Sequence, residues 1–309
     1  MQFFDTVKNS TNQLVCTLEG HTISLKREDR IHPKISGNKF RKLKYVFKEV
    51  LAREIPLVVT FGGAHSNHLA ATACAGKELG VQTLGIVRGE EWQNKLQESP
   101  TLAYCLSQGM ELYCTSRSSY SQKESSPMVQ ALLKKQNTYF LIPEGGTSDL
   151  GVKGCSEILR AGDADFEVIC TSVGTGGTLA GLVTKADSKQ TVLGFNALKN
   201  PEVLTFIKSH TGTRNWELLS DYTFGGYAKT TPQLIDFINT FYKQYQIPLD
   251  PVYTGKMLFA IFDMIKNKKW RWGKNILAIH TGGIQGVVGM NRQLQKKQSP
   301  LIIFEKELP

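Results

Sequence analysis

Val168-Ile169-Cys170-Thr171-Ser172-Val173 runs directly into Gly174-Thr175-Gly176-Gly177-Thr178-Leu179-Ala180-Gly181. The first six residues read as a buried strand. The glycines let several backbone N–H groups converge, and helical spacing follows at once, so strand, turn and helix N-terminus together form an anion cradle. A plain tight turn is the other reading of the same residues. The dinucleotide fingerprint G-x-G-x-x-G fails because Leu179 stands where the third glycine belongs, and the next strand ends without an acid for a ribose. No G-x-x-x-x-G-K-[ST] occurs either. The loop therefore suits a single phosphate monoester better than a nucleotide.

Working outward from this turn, short apolar runs recur at 57–61, 83–87, 112–114, 139–142, 191–195 and 276–280. These read as strands. Helical spacing separates them at 42–52, 68–79, 101–108, 128–135, 179–185, 234–245 and 256–265. Strands too continuously apolar to keep one wet face, alternating with helices, predict an α/β protein with parallel sheets covered on both sides. Ligands of such sheets sit at strand C-terminal ends. Three further glycine turns follow strands there: Gly62-Gly63, Gly145-Gly146 and Gly282-Gly283. No internal repeat, low-complexity tract or long linker interrupts the pattern.

The chain has 309 residues, of which 41% are hydrophobic and 21% charged, which excludes a disordered protein. At roughly 100 to 200 residues per domain, the length favours two domains or one large α/β unit with a smaller lobe. No apolar run approaches the roughly 18 residues of a membrane span. Asp5 interrupts the place where a secretory leader needs a basic and then an apolar segment, so a cytoplasmic address is expected. Cys16, Cys74, Cys105, Cys114, Cys155 and Cys170 are scattered, with no C-x-x-C pair and no histidine at ligand spacing; we expect reduced thiols and no metal.

Thirty-seven basic against 27 acidic side chains leave a net charge of +10. That surplus raises nucleic acid or an anionic small molecule as a partner. Its densest cluster, Lys266, Lys268, Lys269, Arg271 and Lys274 around Trp270 and Trp272, reads either as a stacking platform for single strands or as a solvated basic helix end. The second reading is preferred, and no nucleic-acid partner is expected.

In Ser36-Gly37-Asn38-Lys39-Phe40-Arg41-Lys42-Leu43, Lys39 and Lys42 are three apart and share a face if a helix begins near Asn38. A lysine held near another cation and partly desolvated has a lowered pKa, as an imine-forming nucleophile requires, while its neighbour can stay charged and bind phosphate. A solvated basic face is the alternative. Gly62-Gly63-Ala64-His65-Ser66-Asn67-His68 is a strand breaking into small and polar residues before a helix, a turn that presents backbone donors to a carboxylate. Ser66 beside His65 suggests a hydrolase, but G-x-S-x-G is absent and adjacent turn residues point apart. For His65 and His68, capping or packing is the alternative to catalysis.

These stretches, with Lys26-Arg27-Glu28-Asp29, Pro143-Glu144-Gly145-Gly146, Tyr253-Thr254-Gly255-Lys256 and His280-Thr281-Gly282-Gly283, fall in an order that resembles the 1-aminocyclopropane-1-carboxylate deaminase and D-cysteine desulfhydrase family. Those are pyridoxal 5'-phosphate enzymes of the tryptophan-synthase-β fold group. The likeness spans about residues 26 to 290. It implies two open, twisted, mostly parallel α/β lobes with the cofactor cleft between them. The large lobe would comprise 1–41 and 146–309, and the small lobe 42–145.

The resemblance also implies roles. Lys39 would be the Schiff-base lysine and Lys42 a phosphate contact, with Gly174, Thr175, Gly176, Gly177 and Thr178 cradling that phosphate. Ser66 would approach the substrate carboxylate and reacting carbon, and Asn67 the cofactor's phenolic oxygen. Tyr227 and Tyr253 would flank the substrate, Thr254 would reach the pyridine nitrogen, and Thr281 and His65 would line the substrate pocket. A homodimer is implied as well.

Two departures from the family pattern bear on the reaction. Cyclopropane deaminases resemble Tyr-Glu-Gly-Lys where this chain has Tyr253-Thr254-Gly255-Lys256, and an acid there keeps the ring nitrogen protonated. A neutral hydroxyl gives a weaker electron sink, which disfavours opening a cyclopropane but still permits β-elimination of a good leaving group. His65 stands where those relatives carry glutamine. The expected reaction is therefore D-cysteine desulfhydration: Lys39, displaced by the substrate amine, takes the α-proton, thiolate leaves, and pyruvate, ammonia and hydrogen sulfide result. The alternatives are 1-aminocyclopropane-1-carboxylate deamination to 2-oxobutyrate and ammonia, and, in a different class, a non-catalytic cofactor-binding or regulatory protein.

Overall fold

The computed structural model describes residues 2–5, 10–198, 201–212 and 214–305. The ends of the expected large lobe, residue 1 and residues 306–309, lie outside the described residues. Among the described residues ten strands form two sheets: β1 Asn12–Leu18, β2 His21–Lys26, β3 Leu57–Gly63, β4 Gln82–Arg88, β5 Glu111–Thr115, β6 Phe140–Ile142, β7 Val168–Val173, β8 Thr191–Asn196, β9 Trp216–Leu219 and β10 Asn275–Ile279. The larger sheet has the order β1-β2-β10-β7-β8-β9, and the smaller β5-β4-β3-β6. Every pairing is parallel except the β1–β2 hairpin. This is the mostly parallel α/β architecture expected.

The central strands form where the sequence is continuously apolar because both of their faces are covered. In β10, Ile276 and Ala278 pack into a core with the helices Pro232–Tyr245, Thr254–Lys266 and Gly286–Lys296. Leu277 and Ile279 point the other way, into a core with Leu179, Leu182, Val203 and Ile207 of the helices Gly177–Lys185 and Glu202–Thr211. Each such side chain, fully removed from water, contributes about 1.5 to 3 kcal/mol before the cost of ordering it. The smaller sheet is covered by the helix Asn38–Ala52, whose Phe40, Leu43, Val46, Phe47 and Val50 pack with Val58, Cys74 and Ile142.

The apolar-run reading missed β1, β2 and β9. β1 is an outer strand with alternating exposure, and all four residues of β9 are half-buried, so neither has the unbroken apolar stretch of a strand covered on both faces. The helices Asp149–Ser156, Glu202–Thr211 and Gly286–Lys296 were missed as well. Two glycines each in the first and last lower helix propensity. Gly154 shows what its glycine is for: a Cβ there would stand 1.9 Å from the Arg41 carbonyl oxygen. The helix Asp149–Ser156 thus lies directly against Asn38–Ala52 and fixes its first turns.

Candidate active site

The helix Asn38–Ala52 begins where the lysine spacing required. Gly37 caps it with φ +67°, and its N–H donates to the Glu28 carbonyl at 3.1 Å. The Glu28 carboxylate is fully buried and accepts two hydrogen bonds from Arg41, both at 2.9 Å. The basic run is therefore not a solvated face. Arg41 and Lys42 are buried and Lys44 pairs with Glu157 at 2.8 Å.

Lys39 is partly covered, and its Nζ donates to Asn38 Oδ1 at 3.0 Å. Burial of the amine, helped by the nearby charge of Lys42, pushes its pKa down to about 7. The Lys42 Nζ donates to the Gly145 carbonyl and Thr147 Oγ1, both at 2.9 Å, and to Thr175 Oγ1 at 3.4 Å. Asn38 Nδ2 donates to Thr178 Oγ1 at 2.8 Å, tying the lysine-bearing turn to the glycine loop. Within that loop Gly176 has φ +90° and caps the helix Gly177–Lys185, and a Cβ at Gly177 would stand 3.4 Å from Lys42 Cε. One buried cation, two threonine hydroxyls and a helix N-terminus thus converge, which is the donor set a phosphate monoester requires.

A neutral amine is the nucleophile toward an aldehyde. The rate at which pyridoxal phosphate attaches to cofactor-free protein should therefore rise with pH through about 7 and then level off. Stopped-flow absorbance across pH 5.5 to 10 checks this, and a rise centred near pH 10 would show that Lys39 is not the reacting group.

Ser66 Oγ accepts from the Leu69 N–H at 3.3 Å and so caps the helix Asn67–Leu79. Its hydroxyl proton stays available to an incoming acceptor. Asn67 Oδ1 is buried with no partner, and its Nδ2 lies close beside Gly283, across from the small sheet's turn. His65 does not join this group. Its ring meets Trp92 edge-on at 5.7 Å and packs on Gly289, and burial lowers its pKa. His68 is buried with Nε2 2.8 Å from Thr60 Oγ1, which is the packing role the sequence offered as its alternative. Thr60 donates its own proton to the Ile142 carbonyl at 2.9 Å, so His68 must supply the proton to Thr60. Burial, with Lys39 and Lys42 nearby, holds this histidine well below its ordinary pKa and therefore neutral.

Thr254 is fully buried at the start of the helix Thr254–Lys266. Its hydroxyl lies 3.4 Å from Thr281 Oγ1, which lies 3.4 Å from Ser172 Oγ. These three groups are neutral. Asp250 was missed by the sequence reading; its carboxylate accepts from the N–H groups of Val252, Tyr253 and Thr254 at 3.0, 2.8 and 2.8 Å. That capping places Tyr253 and Thr254. Burial raises the Asp250 pKa despite those donors.

The Tyr227 and Tyr253 ring centroids are 6.5 Å apart. Tyr227 rides on a loop in which Phe224, Gly225, Gly226 and Ala228 all have positive φ. The buried Lys256 holds that loop, donating to the carbonyls of Thr223 and Gly226, each at 2.8 Å. Lys256 is thus a positioning residue. A Lys256→Met variant leaves two carbonyls without their donor and should raise KM about tenfold while changing kcat less. A larger fall in kcat than rise in KM would argue against this role.

Trp270 and Trp272 do not form an open platform. Both pack half-buried on the large core, and their indole N–H groups donate to the Gly273 carbonyl and to Glu217 Oε1, each at 2.9 Å. Among the described residues no helix is long and apolar enough to cross a membrane.

A lysine whose pKa burial lowers, a cluster of donors at a helix N-terminus and a buried amide oxygen without a partner, gathered near strand ends of parallel sheets, fit pyridoxal phosphate. Residues 11–282 match the family model described as pyridoxal-phosphate dependent enzyme, and the chain belongs to that family. It is 31% identical over 293 residues to a Pyrococcus furiosus protein provisionally named 1-aminocyclopropane-1-carboxylate deaminase, covering 88% of each chain. It is 29% identical to the mitochondrial bifunctional D-cysteine desulfhydrase/1-aminocyclopropane-1-carboxylate deaminase of Arabidopsis thaliana, covering 87% of this chain and 74% of that one. The crystal structure of an ACC deaminase homologue superposes with a TM-score of 0.80 at 28% identity, covering 94% of each chain.

Proposed function

We propose that the chain is a lyase acting on small amino acids, with β-elimination from D-cysteine as its reaction, giving pyruvate, ammonia and hydrogen sulfide. When bound, pyridoxal phosphate supplies an aldehyde for the substrate amine and a ring that withdraws electron density from the α-carbon. Lys39 would hold that aldehyde, and its amine would take the α-proton, a task suited to an amine with pKa about 7. Lys42, Thr175 and the turn from Gly174 to Thr178 hold the phosphate. Asn67 orients the phenolic oxygen, Ser66 and the helix N-terminus behind it hold the substrate carboxylate, and Tyr227 and Tyr253 flank the substrate. The Cα–H pair becomes the second Cα–Cβ bond, sulfur leaves with its bonding pair, and water converts the enamine to pyruvate and ammonia.

The observation that carries the choice of reaction is the ring-nitrogen position. Thr254, which the family resemblance assigns to that position, adjoins two more hydroxyls, Thr281 and Ser172, where the cyclopropane deaminases are expected to carry an acid. Such a weak electron sink serves elimination of thiolate better than ring opening. Deamination of 1-aminocyclopropane-1-carboxylate is the second reading, favoured by the name of the Pyrococcus relative, while the Arabidopsis relative's name covers both. Comparing sulfide release from D-cysteine with 2-oxobutyrate formation from the cyclopropane acid decides between them; faster 2-oxobutyrate formation overturns our choice.

We further assign a large lobe of residues 1–41 and 146–309 and a small lobe of 42–145, a homodimer, and a cytoplasmic location. All four strands of the smaller sheet falling inside 42–145 supports the division, although the helix Asn38–Ala52 runs unbroken across its first boundary.

A further inference from the structure

Arg88 is the last residue of β4, and it pairs in register with Gly63, the last residue of β3. The turn carrying Ser66 and Asn67 begins there. Gly63 has no side chain, and a Cβ on it would stand 3.5 Å from Arg88 Nη2, so the guanidinium overlies the entrance to that turn. Its Cζ lies 5.8 Å from the ring centroids of both Tyr120 and Tyr227. Tyr227 is 46% exposed, so the face of the cleft it shares with Arg88 is open to an incoming molecule.

The neighbouring charges are satisfied and this one is not. Glu144 accepts from Tyr120 Oη at 2.6 Å and pairs with Lys123 at 2.7 Å. Glu91 pairs with Arg117. Among the described residues no hydrogen bond or ion pair involves the Arg88 guanidinium. Contact with aromatic faces leaves the N–H edges of a guanidinium free, and those edges match the paired oxygens of a carboxylate, sulfate or phosphate.

We propose that Arg88, with Tyr227, forms a subsite for a second anionic group on the side chain of the amino-acid substrate. This rests on the β-elimination reading above and names a substrate class within it. With an O-sulfate as leaving group, the α-proton passes to the Lys39 amine and the Cα–H pair forms the Cα–Cβ double bond. The Cβ–O bond breaks, sulfate departs with its pair, and water yields pyruvate and ammonia.

The test uses the holoenzyme and two pairs of probes. For turnover, serine O-sulfate is compared with β-chloroalanine, both enantiomers of each, and Arg88→Met should lower the ratio of their kcat/KM values about thirtyfold, with Arg88→Lys falling in between. For equilibrium binding, aspartate is compared with alanine by calorimetry, and the same variant should lower the aspartate-to-alanine affinity ratio about tenfold. Equal losses for both members of a pair would put Arg88 on the α-carboxylate and overturn the proposal. So would an unchanged ratio, or a wild-type protein that does not prefer aspartate to alanine. Failure of the wild type to turn over any β-substituted probe would instead sink the elimination reading, while the binding arm still decides on Arg88.

Discussion

Lys39→Ala is expected to lower turnover by a factor of about a thousand or more, because the proposed reaction asks one side chain both to hold the cofactor aldehyde and to move the α-proton, and general-base catalysis alone contributes about 10² to 10⁴. The protein should otherwise remain intact. Among the described residues the one hydrogen bond of the Lys39 amine is to Asn38, its own neighbour, so little packing depends on it. Burial and the charge of Lys42 disfavour the ammonium form. The folded-state pKa is therefore lowered, and between about pH 7 and 10 the unfolded chain binds more protons than the folded one. Stability from this group rises with pH through that window, and at lower pH the charged amine is a burden on the fold. The cofactor-free alanine variant should accordingly melt no lower than the cofactor-free parent at pH 6. A variant that keeps its turnover would remove Lys39 from the chemistry; one that unfolds would show the residue to be structural.

Gly37→Ala should have the largest effect on the fold. Gly37 combines φ +67° with ψ −146°, a region that L-residues other than glycine rarely enter, at a cost of about 1 to 3 kcal/mol. A Cβ there would also stand 1.9 Å from the Thr281 carbonyl oxygen and 2.7 Å from the Gly282 nitrogen. These are backbone atoms in the turn just past β10, with no flexible tip to move aside. Relieving the overlap would separate the Asn38 N–H from the Thr281 carbonyl, now 3.3 Å apart, and part the lysine-bearing helix from the hydroxyl cluster. We expect a loss above about 3 kcal/mol together with poor cofactor retention. Gly20→Ala is the matching control, since Gly20 has φ +74° but nothing within 4 Å of its missing Cβ. Urea unfolding of both variants separates backbone strain from collision. Equal midpoints would mean that close approach to Thr281 is not what selects glycine at position 37.

How far the sequence reveals this molecule follows from how local each determinant is. β7 and the turn after it are legible because a continuously buried strand, five glycines and threonines and a helix start lie side by side in the chain. Lys39 and Lys42 are legible because a spacing of three fixes a shared helix face. Thr147, Asp250 and Lys256 carry no such local mark. Thr147 matters because it meets Lys42 and Thr175, and Lys256 because its amine reaches the carbonyls of Thr223 and Gly226. Asp250 matters because its carboxylate gathers the N–H groups of Val252, Tyr253 and Thr254. His65 shows the opposite failure: it sits next to Ser66 in sequence, yet the turn sends its ring toward Trp92 and Gly289. The outer strands β1 and β9 are hidden for a related reason, since a half-wet strand lacks an unbroken apolar run.

Reduction of the yellow holoenzyme with borohydride, followed by peptide mapping of the modified lysine, tests the central claim most directly. The account predicts a pyridoxyl group on Lys39, in the peptide that also contains Gly37 and Asn38, and on no other lysine. A protein that stays colourless with excess pyridoxal phosphate, or a label on Lys42, Lys256 or any other amine, would contradict it.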